Sequence, residues 1–157
     1  MVKVGILTLS DRCSRGETED ISGKRIQERL PSDEFEVVVY AILPDEVEAI
    51  RVTLRDWAAR CDAVITTGGT GLGPRDLTPE ATRSVLDRDC AGIVETIRAY
   101  GYPKTPRAIL SRGVSGIIGT CLVVNLPGSP KGVDDGMDVL VPILSHAVEM
   151  IKTGGPH

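Results

Sequence analysis

The chain of 157 residues carries 18 basic and 22 acidic side chains, a formal charge of −4, with 41% hydrophobic and 25% charged residues. That length suits a single domain, expected to span residues 1–157, which can bury a core without disulfide or metal staples. An aromatic content of 3% and an acidic balance argue against base-stacking platforms and a basic nucleic-acid surface. A small anionic ligand met by a few local Arg and Lys residues stays open.

In chain order, four runs rich in Val, Ile and Leu predict buried strands: Val2–Leu9, Phe35–Leu43, Ala63–Thr67 and residues 122–126. Three of them lack polar alternation, the pattern of strands covered on both faces in a parallel sheet. Between the second and third runs, Val47, Ile50, Leu54, Trp57 and Ala58 fall on one helical stripe, and Asp45 is placed to cap that helix. Thr78 and Pro79 predict a further helix start, with a capping hydroxyl and Pro at the first helical position. Residues 110–120 (LSRGVSGIIGT) break the alternation and predict a loop or small hairpin. A last helix puts Val139, Leu140, Ile143, Leu144, Ala147, Val148 and Ile151 on one face, with Pro142 expected to kink or divide it. Strands alternating with helices point to an α/β layer fold.

Cys13, Cys61, Cys90 and Cys121 form no C-x-x-C pair, so no zinc or redox motif is visible. Three of them stand beside apolar residues, which predicts burial as reduced thiols. The first residues enter a strand directly, with no signal-like segment and no apolar run of membrane-spanning length. A soluble cytoplasmic protein is therefore expected, without membrane or nucleic-acid partners. His146, inside the last helix, and His157 have no partner histidine nearby and predict no metal pair. The absence of a G-x-S-x-G elbow leaves a Ser-His-Asp hydrolase without support.

Chemistry is expected where the strands end, because open α/β sheets bind ligands outside the carboxyl ends of their strands. Each predicted strand runs into polar or glycine-rich residues: Ser10 and Asp11; Asp45; Gly68, Gly69, Thr70 and Gly71; and Asn125, Pro127, Gly128 and Ser129. The segment TTGGTGLGPRDLTPEAT, residues 66–82, lets backbone N–H groups turn toward an anion, although a plain strand-to-helix turn would use similar residues. It is not a G-x-x-x-x-G-K-[ST] phosphate loop, since Pro74 follows Gly73. Nor is it a dinucleotide fingerprint, whose third Gly would fall on Pro74. Asp45 and Asp76 lie in loops on the same predicted edge. Either could be a solvated loop residue, but together they could hold Mg²⁺ against substrate phosphates. Arg75, Arg112 and Lys131, in glycine-containing loops, could offset phosphate charge or serve as ordinary surface charge.

TTGGTGLGPRDLTPEAT, ILPDE (residues 42–46), LSRGVSGIIG (residues 110–119), NLPGSPKG (residues 125–132) and TLSDRCSRGETEDISG (residues 8–23) together resemble the molybdopterin adenylyltransferase family of molybdenum-cofactor biosynthesis. That family includes bacterial stand-alone enzymes and the G domain of gephyrin. The resemblance implies a three-layer α/β/α fold with a mostly parallel central sheet, usually assembled as a homotrimer. It implies a reaction in which molybdopterin and ATP, with Mg²⁺, give adenylyl-molybdopterin and diphosphate, and a molybdate-insertion enzyme downstream. By motif, Asp45 and Asp76 match the two essential aspartates, expected to position Mg²⁺ and ATP. Gly68, Gly69, Thr70 and Gly71 would surround a phosphate, and Ser111 would lie near the molybdopterin phosphate. Asn125, Pro127, Gly128 and Ser129 would form a second substrate cradle, and Ser10 and Asp11 would share the rim. Ile118 stands where several members have Arg, so either anion affinity falls or Lys131 or Arg112 substitutes. Two other readings stay open: a silent molybdopterin-binding protein, and a nucleotide hydrolase of the same fold.

Overall fold

The computed structural model describes residues 1–155; His157 lies outside them. The predicted strands form as β1 (Val2–Leu9), β2 (Phe35–Leu43), β3 (Ala63–Thr67) and β6 (Cys121–Leu126), all mutually parallel where they pair. Two short strands were not anticipated as such: β4 (Arg88–Asp89) and β5 (Ser115–Ile118) add antiparallel rungs, giving a six-stranded sheet in the order β2-β1-β3-β6-β5-β4. Of residues 110–120, expected as a loop or small hairpin, residues 115–118 form β5, which makes a hairpin with β6 outside that stretch; a 3-10 helix at Pro106–Leu110 precedes it.

Helices α2 (Ile21–Arg29), α5 (Ala91–Gly101) and α6 (Pro130–Thr153) cover one face through Ile26, Val94, Ile97, Met137, Leu140 and Leu144. Helices α3 (Val47–Ala58) and α4 (Thr78–Arg83) cover the other through Ile50, Leu54, Trp57 and Ala81. β3 and β6 are buried along their whole length, which explains why neither alternates apolar with polar residues.

Several local expectations change. Pro142 does not divide α6, which runs unbroken from Pro130 to Thr153 with the proline exposed. Ile143, expected on the packed face, is 40% exposed, while Met137 and Val133 are fully buried in its place. Thr78 does not cap α4: its hydroxyl donates to the Gly68 carbonyl at 2.9 Å. Asp45 does not cap α3, whose first turn has no side-chain cap. Only Cys61 and Cys121 are buried, Cys13 and Cys90 being half-buried, and all four thiols are free. Burial pushes the Cys121 thiol up to about 12, which keeps it a neutral packing group.

Sheet order reverses direction at β1: the chain goes from β1 out to β2 on one side, then crosses back to β3 on the other and on to β6. The crevice between the carboxyl ends of β1 and β3 is therefore the topological switch point.

Candidate functional site

Two glycines shape the loop after β3. Gly68 (φ +97°) and Gly69 (φ +68°) adopt left-handed backbone. A Cβ on Gly68 would stand 2.2 Å from the Leu9 carbonyl oxygen, and one on Gly69 would stand 2.2 Å from the Thr78 hydroxyl and 3.0 Å from Asp45 Oδ1. Neither conformation nor space tolerates a side chain. Gly128 packs on this loop, its would-be Cβ 3.3 Å from Gly68 Cα, while the Thr67 hydroxyl donates to the Pro127 carbonyl at 2.6 Å and Ser22 to the Gly128 carbonyl at 2.6 Å. The β3 and β6 loops are thus fixed against each other.

Asp11 and Asp45 clasp reciprocally through their backbones. Asp11 N–H donates to Asp45 Oδ2 at 3.1 Å, and Asp45 N–H donates to Asp11 Oδ1 at 2.9 Å. Arg75 closes the clasp with a bidentate pair onto Asp11 at 3.0 and 2.9 Å, tying together the loops after β1, β2 and β3. The Arg75 guanidinium holds the Asp11 carboxyl below the usual range. Burial pushes the Asp45 carboxyl up, helped by the charges of Asp11 and Asp76. Asp45 Oδ1 is buried and has no hydrogen-bond partner among the described residues. A buried carboxylate oxygen left so is costly unless a cation or a ligand donor meets it.

Two clefts open on this rim. The smaller, about 380 Å³, lies at the switch point and is bordered by Ser10, Asp20, Asp45, Gly68 and Asp76 among others. The larger, about 670 Å³, runs between α5, the 3-10 helix and α6; Thr70, Gly71, Ser111, Pro127, Ser129 and Lys131 border it. Gly69, Asp76 and Gly128 border both, so the clefts meet there. Asp76 is held in the loop by Gly73 N–H, which donates to its Oδ2 at 2.9 Å.

A family described as a probable molybdopterin binding domain matches residues 5–146. The chain belongs to that family. It is 40% identical over 154 residues to the molybdenum cofactor synthesis protein cinnamon of Drosophila melanogaster, covering 96% of this chain and 26% of that protein. It is 41% identical over 102 residues to a molybdopterin adenylyltransferase of Helicobacter pylori, covering 62% of this chain and 57% of that protein. The chain therefore spans less than two thirds of either curated relative. Among solved structures, the molybdopterin biosynthesis enzyme MoaB from Thermus thermophilus matches with a TM-score of 0.92 and 49% identity over 99% of both chains. The tungsten cofactor synthesizing protein MoaB from Pyrococcus furiosus matches with a TM-score of 0.88 and 33% identity, over 96% of this chain and 97% of that one.

Within this molybdopterin-binding domain, several residues have duties other than those expected. Arg112 does not face a cleft. Its guanidinium donates to the Gly71 carbonyl at 2.9 Å, to the Asp76 carbonyl at 2.7 Å and to Glu80 at 2.7 Å, clamping the loop that carries Asp76. Asn125 is 2% exposed: it accepts from Val114 N–H at 3.1 Å and donates to the hydroxyls of Thr66 and Thr82, an internal brace under the rim. Ser10 and Ser129 cap α1 (Asp11–Ser14) and α6, accepting from Cys13 and Gly132 N–H. Lys131 has no salt-bridge partner among the described residues and borders the larger cleft.

Ile118 ends β5 opposite Cys121, the first residue of β6, and packs on the α3–α4 side of the core. It lies at the other end of the sheet from the rim.

Sequence reasoning passed over Asp20, Arg98 and Asp135. Asp20 caps α2 by accepting from Gly23 N–H at 2.9 Å, and its other oxygen accepts from the hydroxyls of Thr8 (2.7 Å) and Tyr40. Its position just before Ser22, Gly23 and the helix was a readable cap signal. Arg98 donates to the carbonyls of Ser111 and Gly113, a long-range contact with no local signal.

Proposed function

We propose that this chain adenylylates molybdopterin: an oxygen of the pterin's phosphate forms a bond to the α-phosphorus of ATP, the bond from that phosphorus to the bridging oxygen breaks, and diphosphate leaves. The observation that carries the reading is the junction of the two clefts at Gly69, Asp76 and Gly128, with the unpaired Asp45 Oδ1 beside it. A two-substrate transfer needs two adjoining sites whose reacting ends meet. Relatives named for molybdenum cofactor synthesis support the assignment.

Asp45 and Asp76 fit Mg²⁺. The described residues hold no cluster of three or more His, Cys, Asp or Glu side chains poised for a metal, and Mg²⁺ typically takes one or two carboxylates with the rest from phosphate and water. When bound, Mg²⁺ offsets the charge that keeps two polyphosphates apart. The chain's own residues do the rest. The loop of Gly68, Gly69, Thr70 and Gly71 lets phosphate approach the backbone without a side chain intervening. The clasp of Asp11, Asp45 and Arg75 and the Arg112 clamp hold the carboxylates in register, so that attack occurs in line. Ser111, Ser129 and Lys131 are placed to receive the pterin's phosphate from the larger cleft. No general base is required, because a phosphate monoester is largely ionised at neutral pH. This accords with an exposed His146 that borders neither cleft.

The proposal extends to a cytoplasmic homotrimer that passes its product to a molybdate-insertion enzyme. No helix among the described residues is long and apolar enough to cross a membrane. Tyr102 and Ile109 stand about half exposed, apolar surface suited to self-association; sedimentation as a monomer at working concentration would remove the trimer. The reaction is tested by measuring diphosphate release from Mg²⁺ and ATP with and without molybdopterin, with mass identification of the pterin product. Pterin-dependent diphosphate and an adenylylated pterin are expected. Phosphate or diphosphate released without pterin would overturn the reading in favour of a hydrolase, and tight pterin binding without turnover would make the chain a carrier.

A further inference from the structure

The larger cleft has a second end that the transfer chemistry does not use. From Ser129 at the rim, α6 runs back along the sheet, and Asp135 lies six residues on, about 9 Å along the axis at 1.5 Å per residue. Asp135 is 8% exposed and borders the cleft. Lys104 donates to its Oδ1 at 2.8 Å, and that ammonium also sits 3.9 Å from the centre of the Tyr100 ring. Tyr100 in turn donates to Asp138 at 2.8 Å. The carboxylate is thereby held in one orientation.

Its other oxygen, Oδ2, accepts no hydrogen bond from the described residues and looks toward Gly101. A Cβ on Gly101 would stand 3.0 Å from the Ala108 Cβ and 3.6 Å from Asp135 Oδ2, so the missing side chain keeps the slot beside the carboxylate open. Ile97, Ala108 and Leu110 give the same cleft apolar walls. Arg98, Thr105 and Arg107 border the cleft as well, and apolar walls beside an anchored carboxylate suit a flat heterocycle that presents donors along one edge.

We propose that Asp135 is a specificity-determining residue that reads the amino-oxo edge of the pterin ring. On that edge a ring N–H and an exocyclic amino N–H lie parallel, spaced like the two arms of a guanidinium, and a carboxylate accepts both. Oδ2 takes one donor directly, and Oδ1 takes the other beside Lys104, since each carboxylate oxygen offers two acceptor sites. With the ring edge on Asp135, the substituted end of the ring points toward Ser129 and Asp76, where phosphate chemistry is proposed. This inference rests on the molybdopterin reading above.

The experiment compares the affinity of wild type for hydroxymethylpterin monophosphate and for its lumazine counterpart, in which the exocyclic amino group is an oxo group. An oxo group would set an acceptor against Asp135, so pterin should bind tighter by between about ten- and a hundredfold. Asp135→Asn, which turns one acceptor into a donor, should abolish that preference while leaving ATP affinity unchanged. Lumazine binding wild type as tightly as pterin would overturn the inference without any variant, as would an Asp135→Asn protein that keeps the preference. If neither heterocycle binds wild type, the molybdopterin reading itself fails. If Asp135→Asn proves unfolded in a thermal melt, the wild-type comparison alone decides.

Discussion

Asp20 and Asp45 both border the smaller cleft and are similarly buried, 6% and 9% exposed, yet their surroundings differ. Around Asp20 every oxygen is spoken for, by the Gly23 N–H and the hydroxyls of Thr8 and Tyr40. Around Asp45 one oxygen accepts from Asp11 N–H and the other has nothing among the described residues. Burial of a polar group is stabilising only when its bonds are made. The first aspartate therefore belongs to the fold, whereas the second is held at a cost to stability, as its proposed role in meeting a cation requires.

The largest effect expected is on turnover. Asp45→Asn should lower the rate of adenylyl transfer by about a thousandfold, the scale of losing a preorganised electrostatic contact, while pterin affinity in the larger cleft stays within a factor of about two. Next, Asp20→Ala should cost about 2–4 kcal/mol of stability by removing the α2 cap and stranding two hydroxyls; urea unfolding reads it directly. A loss from Asp45→Asn as large as that from Asp20→Ala would erase the contrast between the two.

Arg112→Lys should weaken the loop that carries Asp76 while leaving Asp20 and Asp45 untouched. Lysine cannot span the carbonyls of Gly71 and Asp76 and the Glu80 carboxylate at once, so turnover should fall roughly tenfold through a loosened Asp76 loop, with KM for ATP rising and the fold intact by circular dichroism.

The smallest effect is on the pH dependence of stability. Because burial raises the folded Asp45 carboxyl above its unfolded value, the unfolded chain ionises first as pH rises, and the cost appears through that window and persists at neutral pH. Asp45→Asn should therefore gain stability over wild type at neutral pH, and the gain should vanish on acidification below the ordinary carboxylate range. Asp11 has the opposite sign: its carboxyl is lowered by Arg75, so its contribution is present above the ordinary carboxylate value and is lost as pH falls through the folded one. Asp11→Asn should lose stability where Asp45→Asn gains it.

The four parallel strands and the rim they build were legible because such strands are rich in Val, Ile and Leu and their ends need Gly and polar residues; β2, expected to be buried, is instead a half-exposed edge strand. β4, two exposed residues at the sheet's edge, and β5, short and glycine-containing, carry no such pattern. At the site, the glycines and the two aspartates stood out by residue type. The true duties of Arg112 and Asn125 did not, since all but one of their partners lie 32 to 59 residues away and are mostly loop carbonyls and hydroxyls that no local spacing announces. Asp135 was hidden for the same reason, as one acid of a pair in a helix whose apolar stripe drew the eye.

The most direct test is a single-turnover measurement of adenylyl-molybdopterin formed by wild type and Asp45→Asn at saturating Mg²⁺, ATP and molybdopterin, with the unfolding midpoint of each protein recorded alongside. A variant at least as stable as wild type that forms almost no product is expected. Product formed at the wild-type rate would contradict it, because the unpaired oxygen of Asp45 would then have no part in the transfer.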